Sequence, residues 1–233
     1  MLLKKEETQT HNIYKIGKIK LQFRKKSNNK IFIIDKNGVK KRAFFIKGLK
    51  VNFKGTNAQV VLYKPFPKFI DCEIFCGNNS QVEIKSSTHK VTKLKIYATK
   101  NDCKCYLGSD FSCQNKCSLL LNKEANKKIT IGDNCMFGSN VYIRTTDSHP
   151  IYDKETNELI NSGGDVIIGN NVWLGMNVTV LKNTKIADGC VVATGSIVTK
   201  DCAIFDSIYA GTPAKLIKEN VKWAREFEEN KRW

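Results

Sequence analysis

The chain has 233 residues, 41% hydrophobic and 26% charged, with a formal net charge of +17, a balance that suits a globular protein. No apolar run approaches the roughly 18 to 20 residues of a membrane span, and Met1-Leu2-Leu3-Lys4-Lys5-Glu6-Glu7 lacks the apolar stretch of a secretory signal. Membrane spanning and export are thus excluded as expectations. The expected location is the cytoplasm, with the inner face of the membrane as the surface the charge would suit.

Residues 1–43 read as a basic N-terminal cap with strand-like pieces such as Ile31-Phe32-Ile33-Ile34, followed by an Asp35-Lys36-Asn37-Gly38 turn. The first 50 residues hold 15 Lys or Arg against 3 Asp or Glu, so +12 of the net charge sits there. Such a face suits an anionic polymer or an acidic membrane. Because 34 of the 39 basic residues are Lys, and nucleic-acid readers favour Arg forks, no specific nucleic-acid partner is expected.

Residues 44–130 carry short alternating runs (Val51/Phe53, Val60/Leu62, Val82/Ile84, Leu94/Ile96) separated by Gly-x-Asn/Asp turn signals at Gly55, Gly77, Gly108 and Gly132. These predict wide, irregular coils of a solenoid. Nine cysteines, an odd count without paired CxxC spacing, predict neither a disulfide framework nor a metal site. They read as small, buried, inert filler.

The repeat sharpens over 131–216. An aliphatic residue recurs every six positions at Ile168, Leu174, Val180, Ile186, Val192, Val198, Ile204, Ala210 and Leu216. A small or β-branched residue follows four positions after each of the first eight. Earlier, Ile131, Phe137 and Ile143 keep the same period, with Cys135, Val141 and Asp147 in the small place. A period of six fits neither a helix nor simple strand alternation. It fits an all-β solenoid coil with three six-residue faces. The pattern breaks at His149, and Pro150 to Asp165, with Gly163-Gly164, should loop out as an active-site excursion at about 150–165. Over 217–233, Val221, Ala224 and Phe227 stand at helical spacing with Trp223 and Phe227 four apart, so a short C-terminal packing helix is expected.

Taken in order, Ile131-Gly132-Asp133-Asn134-Cys135, Asp147-Ser148-His149-Pro150, Val172-Trp173-Leu174-Gly175, Ala193 through Asp201 and Ala210-Gly211-Thr212-Pro213-Ala214-Lys215 resemble the hexapeptide-repeat acyltransferases, most of all the O-acetyltransferases of bacterial surface polysaccharides. The resemblance spans about residues 125–220. It implies a left-handed parallel β-helix, a homotrimer, and acetyl-CoA as acyl donor in the cleft between subunits, with no metal. The acceptor it implies is a capsule, lipopolysaccharide or lipooligosaccharide sugar hydroxyl, and a basic face would steer an anionic one. An acetyltransferase for a small acceptor, an antibiotic or a nucleotide-linked amino sugar, is the alternative.

For hydroxyl acetylation the nucleophile must lose a proton, and imidazole is suited to take it at neutral pH. Of His11, His89 and His149, only His149 sits where the chain leaves the coil, and it aligns with the family's catalytic histidine. Asp147 either orients that imidazole or a sugar, or simply fills its place in the repeat. Arg144 and Asp153 are candidate acceptor contacts. For CoA, Gly175, Gly195 and Gly211 permit close approach of backbone, and Trp173 is a candidate groove wall. The resemblance adds Met176, Thr194, Thr199, Lys200, Lys215 and Lys218 as acetyl-CoA contacts, the lysines facing its phosphates.

Overall fold

The structure is a computed structural model that describes residues 27–226 in full, together with the backbone strands Lys4–Glu7, His11–Ile16 and Ile19–Arg24, which form an antiparallel sheet of their own. From residue 30 onward the chain winds as a left-handed, three-faced parallel β-helix. Face 1 stacks Lys30–Ile34, Gln59–Tyr63, Gln81–Ile84, Lys104–Leu107, Lys128–Ile131, Val166–Ile168 and Thr184–Ile186. Face 2 runs from Lys68–Ile70 to Ile208–Gly211, and face 3 from Leu49–Phe53 to Ile197–Val198. No helix occurs among the described residues.

In-register stacking builds the core. On face 3, Ile74, Ile96, Leu119, Ile143, Val180 and Val198 lie directly over one another, all buried. Phe69, Val91, Cys113, Phe137, Leu174, Val192 and Tyr209 do the same on face 2. Each inward side chain thus meets an apolar neighbour above and below, so a solenoid needs only one knob per strand. The lower coils are wider, with corner bonds spanning 22 to 24 residues, against 18 in the upper coils. That extra room admits Phe111, edge-on to Phe137 at 5.0 Å. At the corners the chain turns through left-handed residues, mostly Asn, including Asn134, Asn140, Asn171, Asn177 and Asn183. Asn tolerates that conformation, and its amides ladder from coil to coil, as in Asn134 Nδ2 to Asn171 Oδ1 at 2.7 Å.

The inward six-residue pattern ends sooner than its sequence extent suggests. It holds through Val198 and Cys202, but Ile204 and Leu216 are exposed. Tyr209 takes the core position instead, its hydroxyl accepting a bond from Ile204 N (3.0 Å). Cys113 and Cys117, expected to be unpaired, have their sulfurs at pairing distance, bridging one corner. The remaining seven thiols are free and buried.

The C-terminal segment corrects the helical expectation. Ala214–Lys218 forms a strand antiparallel to Ile208–Gly211, and the chain then descends as an extended strap along the corner between faces 1 and 2. Val221 N donates to Asp206 O, Trp223 Nε1 to Asn171 O (2.7 Å), and the Arg225 guanidinium to Asp110 O, Ser112 Oγ, Asn134 Oδ1 and Cys135 O. Residues 221, 223 and 225 face the stack while 222, 224 and 226 face solvent, so the period is two, not 3.6. Phe227 and the rest of the expected helix lie outside the described residues.

Candidate active site

The corner between faces 3 and 1 is where the chain leaves the coil. After Tyr142–Arg144 on face 3, Thr145 and Thr146 are buried at the corner, and Ser148 adopts a left-handed conformation (φ 75°). A non-glycine residue there is strained by about 1–2 kcal/mol, so neighbouring bonds must hold it. Arg144 does this, Nε donating to Thr146 O (2.6 Å) and Nη2 to Ser148 Oγ (2.7 Å), while Ser148 N donates to Thr146 Oγ1 (3.3 Å). The guanidinium expected on the acceptor is folded onto its own turn.

His149 emerges from that turn exposed, lining a cleft of about 170 Å³ with Lys123, Glu124, Thr146, Leu159 and Asn161. Asp147 does not bond its ring. Its Oδ2 accepts from Lys182 Nζ (2.6 Å) on the next coil and from Asn161 Nδ2 (3.1 Å), and the same amide nitrogen donates to the His149 carbonyl (2.9 Å). Lys182 also donates to Asn161 O (2.6 Å), and Asn161 Oδ1 accepts from Ile151 N. Lys182, with Asn161 second, holds the Asp147 carboxyl below the usual carboxylate range against partial desolvation. Asp147 is exposed, so it does not fill the small place of its repeat either. It is the hub of a clasp that joins the outgoing and returning limbs of the loop.

The returning limb needs bare backbone. Gly163 N donates to both Glu124 oxygens (2.9 and 3.0 Å), and Gly164 N to Thr145 O (2.9 Å). A Cβ on Gly163 would lie 2.7 Å from Thr145 O, and one on Gly164 would overlap the Asn183 side chain. Asp153 caps a turn inside the loop, Oδ1 accepting from Glu155 N, Thr156 N and Thr156 Oγ1, and those bonds, Thr156 N foremost, lower its pKa.

The remaining expected residues fall into separate groups. Thr199 and Lys200 are exposed at the same corner as His149, one coil above Lys182. Gly175, Met176 and Thr194 stack on the other edge of face 3, with Gly195 N donating to Met176 O (2.8 Å) and Thr212 Oγ1 to Gly195 O (3.5 Å). The width of face 3, about five extended residues or ~15 Å, separates the two groups. Lys215 and Lys218 are exposed on the last strand. Trp173, expected as a groove wall, projects from face 2 and packs against Trp223 of the strap at 6.1 Å.

Sequence reasoning passes over Lys182, Asn161 and Glu124. Only Lys182 carries a signal, that of register: it follows the inward Val180 by two positions and so lies at the coil corner near Asp147. The cysteines offer no nucleophile, because burial pushes Cys76, Cys135 and Cys202 up to about 12.

Two family models match the chain: bacterial transferase hexapeptide (six repeats) over residues 165–200, and the hexapeptide repeat of succinyl-transferase over residues 128–146. The polysialic acid O-acetyltransferase of Neisseria meningitidis is 36% identical over 167 residues, covering 64% of this chain and 77% of that protein. A polysialic acid O-acetyltransferase of Escherichia coli O1:K1 / APEC is 35% identical over 59% of this chain, a match that spans only 44% of the relative. The crystal structure of the polySia-specific acetyltransferase NeuO superposes with a TM-score of 0.64 at 29% identity, covering 88% of both chains.

Proposed function

The chain belongs to the hexapeptide-repeat acyltransferases, and from that premise we propose that it moves an acetyl group from acetyl-CoA to a hydroxyl of a bacterial surface polysaccharide or its precursor, with His149 as general base. The observation that carries this reading is the exposed His149 in a cleft where the coil opens, its turn held by Arg144 at Ser148 and by Asn161 at the His149 carbonyl. The relatives' named activity on polysialic acid, together with the +17 charge of this chain, favours an anionic acceptor.

Transfer is direct. The His149 imidazole takes the hydroxyl proton as the oxygen attacks the acetyl carbonyl, and the imidazolium returns that proton to the departing CoA thiolate. No acyl-enzyme forms, in keeping with thiols that are buried and protonated. A backbone N–H or small polar group on the neighbouring subunit would hold the tetrahedral oxyanion. The pantetheine groove lies along the column of Gly175, Met176, Thr194 and Gly195, with Lys215 and Lys218 of the last strand toward the phosphates, joined by Lys200 from the His149 corner of the adjoining protomer. Because this column and His149 occupy opposite edges of face 3, a working site combines the His149 corner of one protomer with the column of another, as a homotrimer allows.

Mass spectrometry of polysialic acid and related glycans incubated with acetyl-CoA and the protein tests the reading. The wild type should add acetyl groups, and His149→Ala should act about 10²- to 10⁴-fold more slowly. Full activity in His149→Ala would end the proposal.

A further inference from the structure

We propose that the N-terminal end of the β-helix, around Phe44 and Phe45, is a docking surface for an anionic lipid bilayer. The two rings are 82% and 78% exposed. Consecutive residues of a straight strand point to opposite faces, but the chain bends at Phe44, just past the edge strand Lys40–Ala43, and presents both rings to solvent. They flank a cleft of about 540 Å³ with an apolar lining of Ile31, Ile46, Leu49 and Val51. Single exposed apolar residues are ordinary, whereas adjacent aromatics on an apolar cleft mark an interaction surface.

Charge identifies the partner. Over residues 27–50, Lys30, Lys36, Lys40, Lys41, Arg42, Lys47 and Lys50 are all exposed, against one acid. That acid, Asp35, is engaged by its own turn, its Oδ1 accepting from Asn37 N and Val39 N. Asp71 and Glu73 lie on the cleft wall, and Glu73 is paired with Lys95 at 3.7 Å. The Arg42 guanidinium sits 5.1 Å from the Phe44 ring. Apolar rings without a polar atom, beside Arg42 and an edge strand of exposed cations, match the boundary between acyl chains and anionic headgroups. An anionic glycan would engage the cations yet leave the rings in water. A single strand of nucleic acid needs a basic groove that tracks its backbone, and this patch is the blunt end of the stack, not its length. From Leu49–Phe53 to Tyr142–Arg144 are four strand spacings, on the order of 20 Å. Docking would hold the His149 cleft at that height above the headgroups, within reach of a lipid-tethered acceptor. That consequence rests on the acetyl-transfer reading; the docking itself does not.

The test is co-sedimentation of the full chain with phosphatidylglycerol/phosphatidylcholine vesicles and with pure phosphatidylcholine vesicles. Binding to the anionic vesicles alone is expected, with the partition falling about tenfold or more in the Phe44→Ser/Phe45→Ser double variant. Lys40→Gln/Lys41→Gln/Arg42→Gln should weaken binding and flatten its salt dependence. Both variants should unfold at the wild-type temperature, and His149→Ala should bind vesicles normally, which separates failure of docking from failure of the acetyl-transfer reading. Absence of anionic-vesicle binding, or unchanged binding by the Phe variant, overturns the proposal. So does a lower oligomer mass of that variant by light scattering, which would place the rings between copies, or ring-dependent capture of a single-stranded oligonucleotide, which would assign them to nucleic acid.

Discussion

His149 occupies a turn that its own backbone preferences would not hold. Two cations, Arg144 from the strand below and Lys182 from the coil above, keep that turn and the loop beyond it in place. Neither needs to touch a substrate to matter, since a misplaced base loses rate steeply. Lys182→Met is therefore expected to raise the acceptor KM and lower kcat while leaving thermal stability nearly unchanged, and to open the loop near residues 150–165 to limited proteolysis. Asp147→Asn should do the same more weakly, because Asn161 can still bond the amide. The pH behaviour follows from the sign of the Asp147 shift. A carboxyl whose folded pKa is lowered contributes its stabilisation fully above its unfolded value, about 3.9, and loses it as pH falls through the lower folded value. The clasp thus stays closed across the neutral range, and proteolysis of the wild-type loop should rise only in acid below about pH 4. A Lys182→Met protein with wild-type kinetics and loop protection would remove the clasp from the mechanism.

At the level of elements, the sequence is most legible where one physical demand repeats. Each upper-coil strand needs one inward aliphatic side chain, so Ile168 through Val198 announce the solenoid, and Gly132-Asp133-Asn134 announces a corner. The strap misleads because two periods compete in it. Val221, Ala224 and Phe227 suggest a helix, whereas Val221, Trp223 and Arg225 make the extended face that packs. An Arg does not count as an inward residue in a hydrophobic pattern. Here, however, the inward surface is a β-helix corner, whose carbonyls at Asp110 and Cys135 call for donors. The clasp is illegible for a related reason: Lys182 reaches Asp147 only through stacking register, and Asn161 only through the fold of the excursion loop itself. The strap also yields an energetic prediction. Trp223→Ala removes a buried indole and its bond to Asn171 O, and should destabilise the fold by about 2 kcal/mol, read as a lower Tm. Circular dichroism of wild type and variant should show no loss of helical signal; a loss would restore the helix.

On the scale of the whole molecule, the β-helix carries one antiparallel strand at each end, and the proposed site is divided between protomers. Lys40–Ala43 covers the N-terminal edge of face 1 and Ala214–Lys218 the C-terminal edge of face 2, and each carries exposed lysines that discourage edge-to-edge pairing there. End-to-end pairing is thereby disfavoured on those two faces, and lateral association of prisms is the geometry that suits the proposed trimer. Such a trimer brings the 2/3 edge of one protomer to the 3/1 corner of the next, so two lesions on different chains should complement. His149→Ala supplies an intact Thr194 column without a base, and Thr194→Trp supplies the base with a blocked column. Each alone should act at least about 10²-fold more slowly than wild type. When the two are unfolded together and refolded at equal amounts, random assembly leaves one interface in four with both intact halves, so about a quarter of wild-type activity should return. If base and column served one site within a single chain, no mixture could contain an intact site and the refolded sample would stay inactive. Restoration near a quarter, measured against the separately refolded homo-oligomers, would place the chemistry between protomers.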